Sequence, residues 1–193
     1  MSNLTTMLGL IEPEAPPSGF ELGLSPVLDT ISGQLNAWSQ RTVDISAYAG
    51  ATVRPVFYYV SGGSYTGDLQ LDLINVDGTS YSFESNTTGW QTTTSEYTDY
   101  SSVVWASVPT VASTSPRFSR DSGGTGSTGT GRTDAADGSF YLYAETSSPG
   151  YPNTPFWLRG PEVTLSSSPT FSYYEARYGA TIGTLNFYLD VIS

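Results

Sequence analysis

The side chains that could do chemistry in this chain are carboxylates, because the sequence contains neither cysteine nor histidine. The commonest general base and the thiolate nucleophile are therefore both missing. Two acids on facing walls of a cleft could still hydrolyse a glycoside. The candidates are Asp68, Asp72, Glu84, Glu145 and Glu175. Nothing in the sequence shows that any two of them face each other, so we favour structural or solvated carboxylates and predict a non-enzymatic protein.

The charge balance narrows the range of partners. The formal net charge is -11, and seven arginines are the only basic side chains. Binding to a nucleic acid or to an anionic membrane needs clustered cations, so neither partner is expected. The first 19 residues contain neither the basic start nor the apolar run of a secretory signal, and no stretch approaches a membrane span. We therefore expect a protein that is made in a reducing compartment and is not secreted through a signal peptide.

The elements that must position these acids are strands. Short apolar runs that alternate with polar residues and end at turn residues recur from residue 20 onward. The predicted strands are 36–46, 51–60, 67–76, 80–85, 101–108, 140–145, 161–166, 169–177 and 184–192. With no helices between them, they predict an all-β fold, a two-layer antiparallel jelly-roll sandwich over residues 20–193.

Two stretches depart from plain alternation. In "GDLQLDLINV" (67–76) the apolar phase shifts after Leu73 to Ile74 and Val76, which predicts a β-bulge near Leu73 and Ile74. The Gly-, Ser- and Thr-rich stretch 121–138 lacks the Gly-Lys-Ser/Thr ending of a phosphate loop, so we predict a long surface loop there.

The N-terminus differs in pattern from the rest of the chain. Leu4, Met7, Leu8 and Ile11 would form a one-sided apolar stripe on a helix, and "EPEAPPSG" then breaks that helix. We interpret residues 1–19 as a docking arm and linker that lay this stripe on a neighbouring subunit.

A family resemblance starts at residue 81. In "YSFESNTTGWQTTTSEYTDYSSVVW" (81–105), a Phe-Glu strand is followed by Gly-Trp and then by a second Trp. This order resembles the opening of a MAM domain, the adhesive module of meprins and receptor tyrosine phosphatases. The segments "GGTGSTGTGRTD", "GSFYLYAETSSPG", "FWLRGPEVTL" and "TFSYYEARYGATIGTLNFYL" follow in the family's order, so the resemblance covers residues 81–189. Residues 31–78 are similar to the family's second half, placed first.

The reversed order implies either a circular permutation within one chain, which we favour, or strand exchange between neighbouring chains. Under the permutation, the related phrases "VLDTIS" (27–32) and "YLDVIS" (188–193) border the same connection, and their ends are expected near each other. The family's cysteines are absent, which suits a protein assembled inside a cell.

The resemblance also implies residue roles. Glu84 and Asp72 match positions near which the family often holds a cation, so a structural calcium or sodium ion is an optional ligand, although Leu73 replaces the family's second Asp. Trp38, Trp90 and Trp105 match tryptophans that are usually core residues in the family.

The turn "SPGYPNTPFW" (148–157) is predicted to be an exposed contact loop, with Tyr151, Phe156 and Trp157 as partner-binding residues.

These features together favour a non-enzymatic structural protein of a virus particle, above all a bacteriophage capsid decoration (cement) protein bound to a protein shell or to further copies of itself. The alternative is a carbohydrate-binding or adhesion module of a tail fibre or bacterial surface protein, and a glycan hydrolase is a weaker third.

Overall fold

The computed structural model describes residues 22–94, 96–110 and 116–193. These residues form fourteen β-strands and no α-helix, so the predicted all-β class is confirmed. The strands are β1 (Gly23–Leu24), β2 (Asp29–Ser32), β3 (Leu35–Val43), β4 (Thr52–Val60), β5 (Leu69–Val76), β6 (Thr79–Tyr81), β7 (Gln91–Thr92), β8 (Ala106–Ser107), β9 (Phe118–Ser122), β10 (Phe140–Ala144), β11 (Pro155–Arg159), β12 (Val163–Thr164), β13 (Phe171–Arg177) and β14 (Thr184–Val191). The predicted arm with Leu4, Met7, Leu8 and Ile11 lies outside the described residues.

The strands form two antiparallel sheets that pack against each other. Sheet A has eight strands in the order β1-β14-β4-β11-β7-β8, with β12 paired to β4 and β2 paired to β14. Sheet B has six strands in the order β3-β13-β5-β10-β9, with β6 paired to β5. Among the described residues, no helix has the length and hydrophobicity of a membrane span.

The core lies between the sheets and is built by alternation. Every second residue of β4, β11 and β14 faces sheet B, and the buried apolar residues of β5 and β13 face sheet A. Its centre is aromatic: Phe187 of sheet A stacks on Phe171 of sheet B with ring centroids 4.2 Å apart, and Phe57 meets Tyr173 edge-on at 5.1 Å.

The phase shift in β5 produces the predicted bulge. The pairing of β13 with β5 steps from Ser172–Asn75 to Tyr174–Asp72, so one residue of β13 faces two residues of β5. Leu73, at the bulge, has a φ of +42°. The alternation on either side of the bulge therefore keeps its apolar residues in the core.

The two ends of the described chain lie side by side. Strand β14 is inserted between β4 on one side and β1 and β2 on the other, with Leu185 opposite Ile31 and Val191 opposite Gly23. In sheet B, β13 lies in the same way between β3 and β5. Strands from the two halves of the sequence therefore pair within a single chain.

The predicted strand positions differ from the structure in several places. The strands β1, β2, β7 and β9 were not predicted, and two further differences concern residues 101–108 and β11. Residues 101–108 form a short 3-10 turn (Tyr100–Ser102), irregular backbone and only the two-residue β8. Conversely, β11 occupies the centre of sheet A although it begins at Pro155, after a stretch with turn composition. A proline is tolerated at the first residue of a strand, so β11 can begin at Pro155. The prolines around it are typical of turns, so the sequence pattern did not predict this strand.

Candidate functional site

The candidate acids are distributed over several elements of the sandwich. Asp68 and Asp72 belong to β5 and its approach, Glu84 follows β6, Glu145 follows β10, and Glu175 lies on β13. Asp68 and Glu145 are close enough for the charge of Glu145 to raise the pKa of Asp68, but Asp68 has no solvent exposure. A glycosidase needs both acids in reach of a sugar, so this pair does not form such a site.

Asp72 holds a loop instead of facing a cleft. Its side chain is fully buried, and its Oδ2 accepts the backbone N–H groups of Ala136 and Asp137 at 2.8 and 2.9 Å. Its Oδ1 accepts the N–H of Leu73 at 2.7 Å. Burial raises the pKa of Asp72 to about 6, and these three hydrogen bonds oppose the rise.

Glu84 holds the next residues of the same loop. Its Oε1 accepts the N–H groups of Ser139 and Phe140 at 2.9 and 2.7 Å. Gly138, with a φ of +66°, lies directly against the carboxylate, where a Cβ atom would come within 2.3 Å of the Glu84 Cδ. Only glycine fits this approach without displacing the carboxylate.

Arg120 binds the backbone carbonyls of the segment that carries Glu84. Its Nε donates to the carbonyl of Phe83 at 2.5 Å and its Nη2 to the carbonyl of Glu84 at 2.7 Å. The guanidinium lies 3.4 Å from the centroid of the Phe140 ring. The strand β9, the 83–84 segment and the start of β10 are therefore joined by one side chain.

Gln70 anchors the middle of the loop. Its side chain is fully buried, donates to the carbonyl of Arg132 at 3.1 Å and accepts the N–H of Arg132 at 2.5 Å. Trp38 of β3 adds a bond from Nε1 to the carbonyl of Asp134 at 3.1 Å. The Gly-rich stretch predicted as a surface loop is thus bound along its length, and we name residues 123–139 the folded-back loop.

The cation that the resemblance implies at Asp72 and Glu84 would compete with the hydrogen bonds of the loop. Oδ2 of Asp72 and Oε1 of Glu84 each accept two N–H groups, so such an ion would depend on Asp72 Oδ1 and Glu84 Oε2. Among the described residues, no group of three or more acids has the spacing of a metal site.

Asp68 is bound differently from Asp72. Its Oδ1 accepts both the N–H and the hydroxyl of Thr146 at 2.9 Å, whereas its Oδ2 is buried without a hydrogen-bond partner. Burial raises the pKa of Asp68 to about 6, helped by the charge of Glu145, while the hydroxyls of Thr125 and Thr146 oppose the rise. Sequence patterns marked Asp68 as an acid but could not show that it is buried.

The predicted contact loop offers less surface than expected. Phe156 is fully buried in the core, and Trp157 is 4% exposed. Only Tyr151 of the three predicted contact residues is half-buried rather than buried. Because β11 is a central strand, Phe156 faces sheet B and Trp157 faces the outside of sheet A.

A short segment covers Trp157 on that outer face. The indole Nε1 donates to the carbonyl of Tyr97 at 3.0 Å, and the ring stacks on Tyr58 at 4.0 Å and meets Tyr100 at 5.6 Å. Tyr100 also donates to Asp190 at 2.6 Å. Residues 96–105 therefore shield the aromatic surface that the sequence suggested for a partner or a glycan.

The three tryptophans that the resemblance predicted to be core residues have different surroundings. Trp90 is buried in the core, 1% exposed, between the rings of Tyr81 and Phe83. Trp38 and Trp105 are half-buried on the outer faces of sheets B and A.

A small polar pocket adjoins Trp90. It has a volume of about 150 Å³ and is lined by Ser80, Tyr81, Ser82, Phe83, Glu84, Ser85, Asn86, Thr88 and Trp90. The indole N–H of Trp90 is buried and has no hydrogen-bond partner. The pocket therefore combines aromatic side chains, hydroxyls, an amide and a carboxylate, and the indole N–H lies buried behind it.

No family model matches the chain. In the structure, Asp72, Glu84 and Gln70 bind the folded-back loop, and Arg120 holds the backbone of Glu84. Sequence reasoning missed Gln70 and Arg120. A polar residue at an alternating position of a strand was the available signal for Gln70, since its neighbours Asp68 and Asp72 share that face.

Proposed function

We propose that the chain is a non-enzymatic structural and binding protein of a virus particle, most specifically a bacteriophage capsid decoration protein built on a permuted, MAM-like jelly roll. The observation that carries the non-enzymatic part is the use of the candidate acids. Asp72 and Glu84 hold the folded-back loop, and Glu175 pairs with Arg177 at 2.7 Å. Carboxylates engaged in this way support the fold rather than a reaction.

The same bonds support a role in assembly. The folded-back loop is held by buried side chains of β5 without any disulfide, because the chain has no cysteine. A surface that is ordered before binding loses less conformational entropy when it docks. Such a surface suits a protein that must fit a preformed protein shell.

In this proposal, the N-terminal arm adds the apolar contact through Leu4, Met7, Leu8 and Ile11. The support is the one-sided spacing of these residues in the sequence. The proposed permutation is supported by the pairing of strands from both halves within one chain.

The test uses particles purified from the native source and stripped of this protein. The full chain is expected to cosediment with them, and a variant with Leu4, Met7, Leu8 and Ile11 changed to Ser is expected to lose at least tenfold in affinity. A variant with Thr5 and Thr6 changed to Ser is the matched control. Absence of the protein from native particles, or equal binding by both variants, would contradict the proposal.

A second function is favoured by the pocket at Trp90. Hydroxyls, an amide and a carboxylate are groups that bind sugar hydroxyls, and they line this pocket beside aromatic rings. In this alternative the chain is a carbohydrate-binding module of a tail fibre or surface protein. A glycan array tests it with Thr88→Val, which keeps the shape of an exposed pocket side chain and removes its hydroxyl. Binding that weakens in this variant would favour the alternative, and an array without any binding would reject it.

A further inference from the structure

Asp68 lies where four connections of the sandwich meet. The N–H of Asp68 donates to Thr130 Oγ1 at 3.0 Å, and the N–H of Gly67 donates to Thr146 Oγ1 at 3.1 Å. The N–H of Thr181 donates to the carbonyl of Thr66 at 3.1 Å. The approach to β5, the folded-back loop, the 145–154 connection and the β13–β14 connection are thereby joined around one carboxylate.

This carboxylate lacks the compensation that the other buried acids have. Asp72 receives three N–H groups and Glu175 has an arginine, but Asp68 Oδ2 accepts no hydrogen bond. The charge that acts on Asp68 most strongly is that of Glu145, which is also negative. A buried anion in this situation is costly unless a positive group reaches its free oxygen.

Several oxygen atoms lie close to Asp68, beside the N–H of Thr146 that Oδ1 accepts. The hydroxyl of Thr125 is close enough to the carboxylate to lower its pKa and lies 3.3 Å from the carbonyl oxygen of Thr130. The hydroxyl of Thr146, whose single proton is shared, lies 2.9 Å from Oδ1 and 3.0 Å from the carbonyl oxygen of Tyr65. Carboxylate, hydroxyl and carbonyl oxygens are the ligands of hard cations.

We propose that Asp68 Oδ2, together with the threonine and backbone oxygens around it, binds a small hard cation, sodium or calcium. One carboxylate among neutral oxygens balances a single positive charge, which favours sodium and gives calcium a weaker hold. The site differs from the one implied at Asp72 and Glu84, where Asp72 Oδ2 and Glu84 Oε1 each accept two N–H groups. It does not depend on the proposed function.

The bound ion would tie the four connections together, so its loss should loosen this end of the sandwich. The melting temperature of the full chain is measured in sodium chloride and in choline chloride at equal ionic strength, and again with calcium chloride or with EGTA. Sodium or calcium is expected to raise the melting temperature by about 3–6 °C, as a ligand of the folded state does.

Two variants separate the sites. Asp68→Asn should abolish the response to both cations, whereas Asp72→Asn, the matched control, should keep it. An unchanged melting temperature of the unmodified chain in every salt would overturn the proposal. A response that survives Asp68→Asn but is lost in Asp72→Asn would overturn it as well.

A spectroscopic readout covers the case in which Asp68→Asn does not fold. Burial raises the pKa values of Tyr59, Tyr141 and Tyr143, and the charge of Asp68 raises them further, so these rings are near the carboxylate. Excitation of tyrosine should therefore sensitise the emission of terbium bound at Asp68. Thr125→Val keeps the shape of the side chain and removes one oxygen. It should weaken terbium binding at least threefold, and equal emission in both proteins would contradict the assignment.

Discussion

Two buried carboxylates in sheet B, Glu175 and Asp72, are stabilised by different partners. On β13, Glu175 is 1% exposed and pairs with Arg177, which also donates to the carbonyls of Ser32 and Gly33. On β5, Asp72 is fully buried and is compensated by backbone N–H groups. The first arrangement joins the sheet to the β2–β3 connection, and the second holds a long loop.

The difference shows two ways in which a chain with seven arginines stabilises its buried carboxylates. Burial raises the pKa of Glu175, and the hydrogen bond and charge of Arg177 oppose the rise. Burial raises the pKa of Asp72 to about 6, which backbone dipoles oppose without a full positive charge. Loss of Arg177 should therefore destabilise the fold by leaving a buried charge unpaired. Loss of the Asp72 carboxylate should destabilise it by leaving N–H groups without an acceptor.

The largest effect is expected for Arg177→Met, which leaves Glu175 buried without its cation. Breaking a buried pair in this way costs about 3–5 kcal/mol. Urea unfolding measures the change, and Arg132→Met is the matched control because Arg132 pairs with the exposed Asp134, a pair worth about 1 kcal/mol or less. Adding Glu175→Gln to Arg177→Met should recover part of the loss. Equal losses for the two Met variants would break the comparison.

The next effect is expected for Asp72→Ala. It leaves the N–H groups of Leu73, Ala136 and Asp137 without an acceptor, at a cost of about 2–4 kcal/mol. Asp72→Asn retains one acceptor oxygen and should lose less than half as much. Hydrogen exchange at residues 136 and 137 should accelerate in the Ala variant, and unchanged protection there would show that the loop is held by other contacts.

The pH dependence tests the burial of Asp72. Because burial raises the pKa of Asp72 from 3.8 to about 6, the folded chain binds more protons than the unfolded chain between these values. Stability from this carboxylate therefore rises as the pH falls from 7 to 4.5, by roughly 1–3 kcal/mol. Unfolding of Asp72→Asn should show a smaller rise than unfolding of the unmodified chain. A rise of the same size in the variant would assign it to other groups.

The smallest effect is expected at Glu84, whose side chain is exposed although it accepts two N–H groups. Glu84→Ala should cost about 1 kcal/mol, and Glu84→Gln, which keeps an acceptor oxygen, less than about 0.5 kcal/mol. Chemical denaturation measures both. A loss at Glu84→Ala as large as at Asp72→Ala would show that burial does not decide the strength of these anchors.

Part of this fold could be predicted from local patterns. The bulge at Leu73 and Ile74 follows from a phase shift that only an extra residue can absorb while keeping apolar side chains inside. The strand β11 could not be predicted, because its prolines have turn propensity and only its neighbours β4 and β7 supply the pairing. Phe156 and Trp157 were assigned to a contact loop for the same reason.

The sequence by itself determined that the chain folds as two antiparallel sheets, since alternation and turn residues are local signals of extended strands. It also determined which side chains could carry charge or chemistry. Only the tertiary structure decided that Asp72 and Glu84 hold the folded-back loop and that Asp68 is left with a free oxygen. The reason is physical: the acceptors are on or next to strands, the donors of the loop lie about 50 to 65 residues away in sequence, and only folding brings them together.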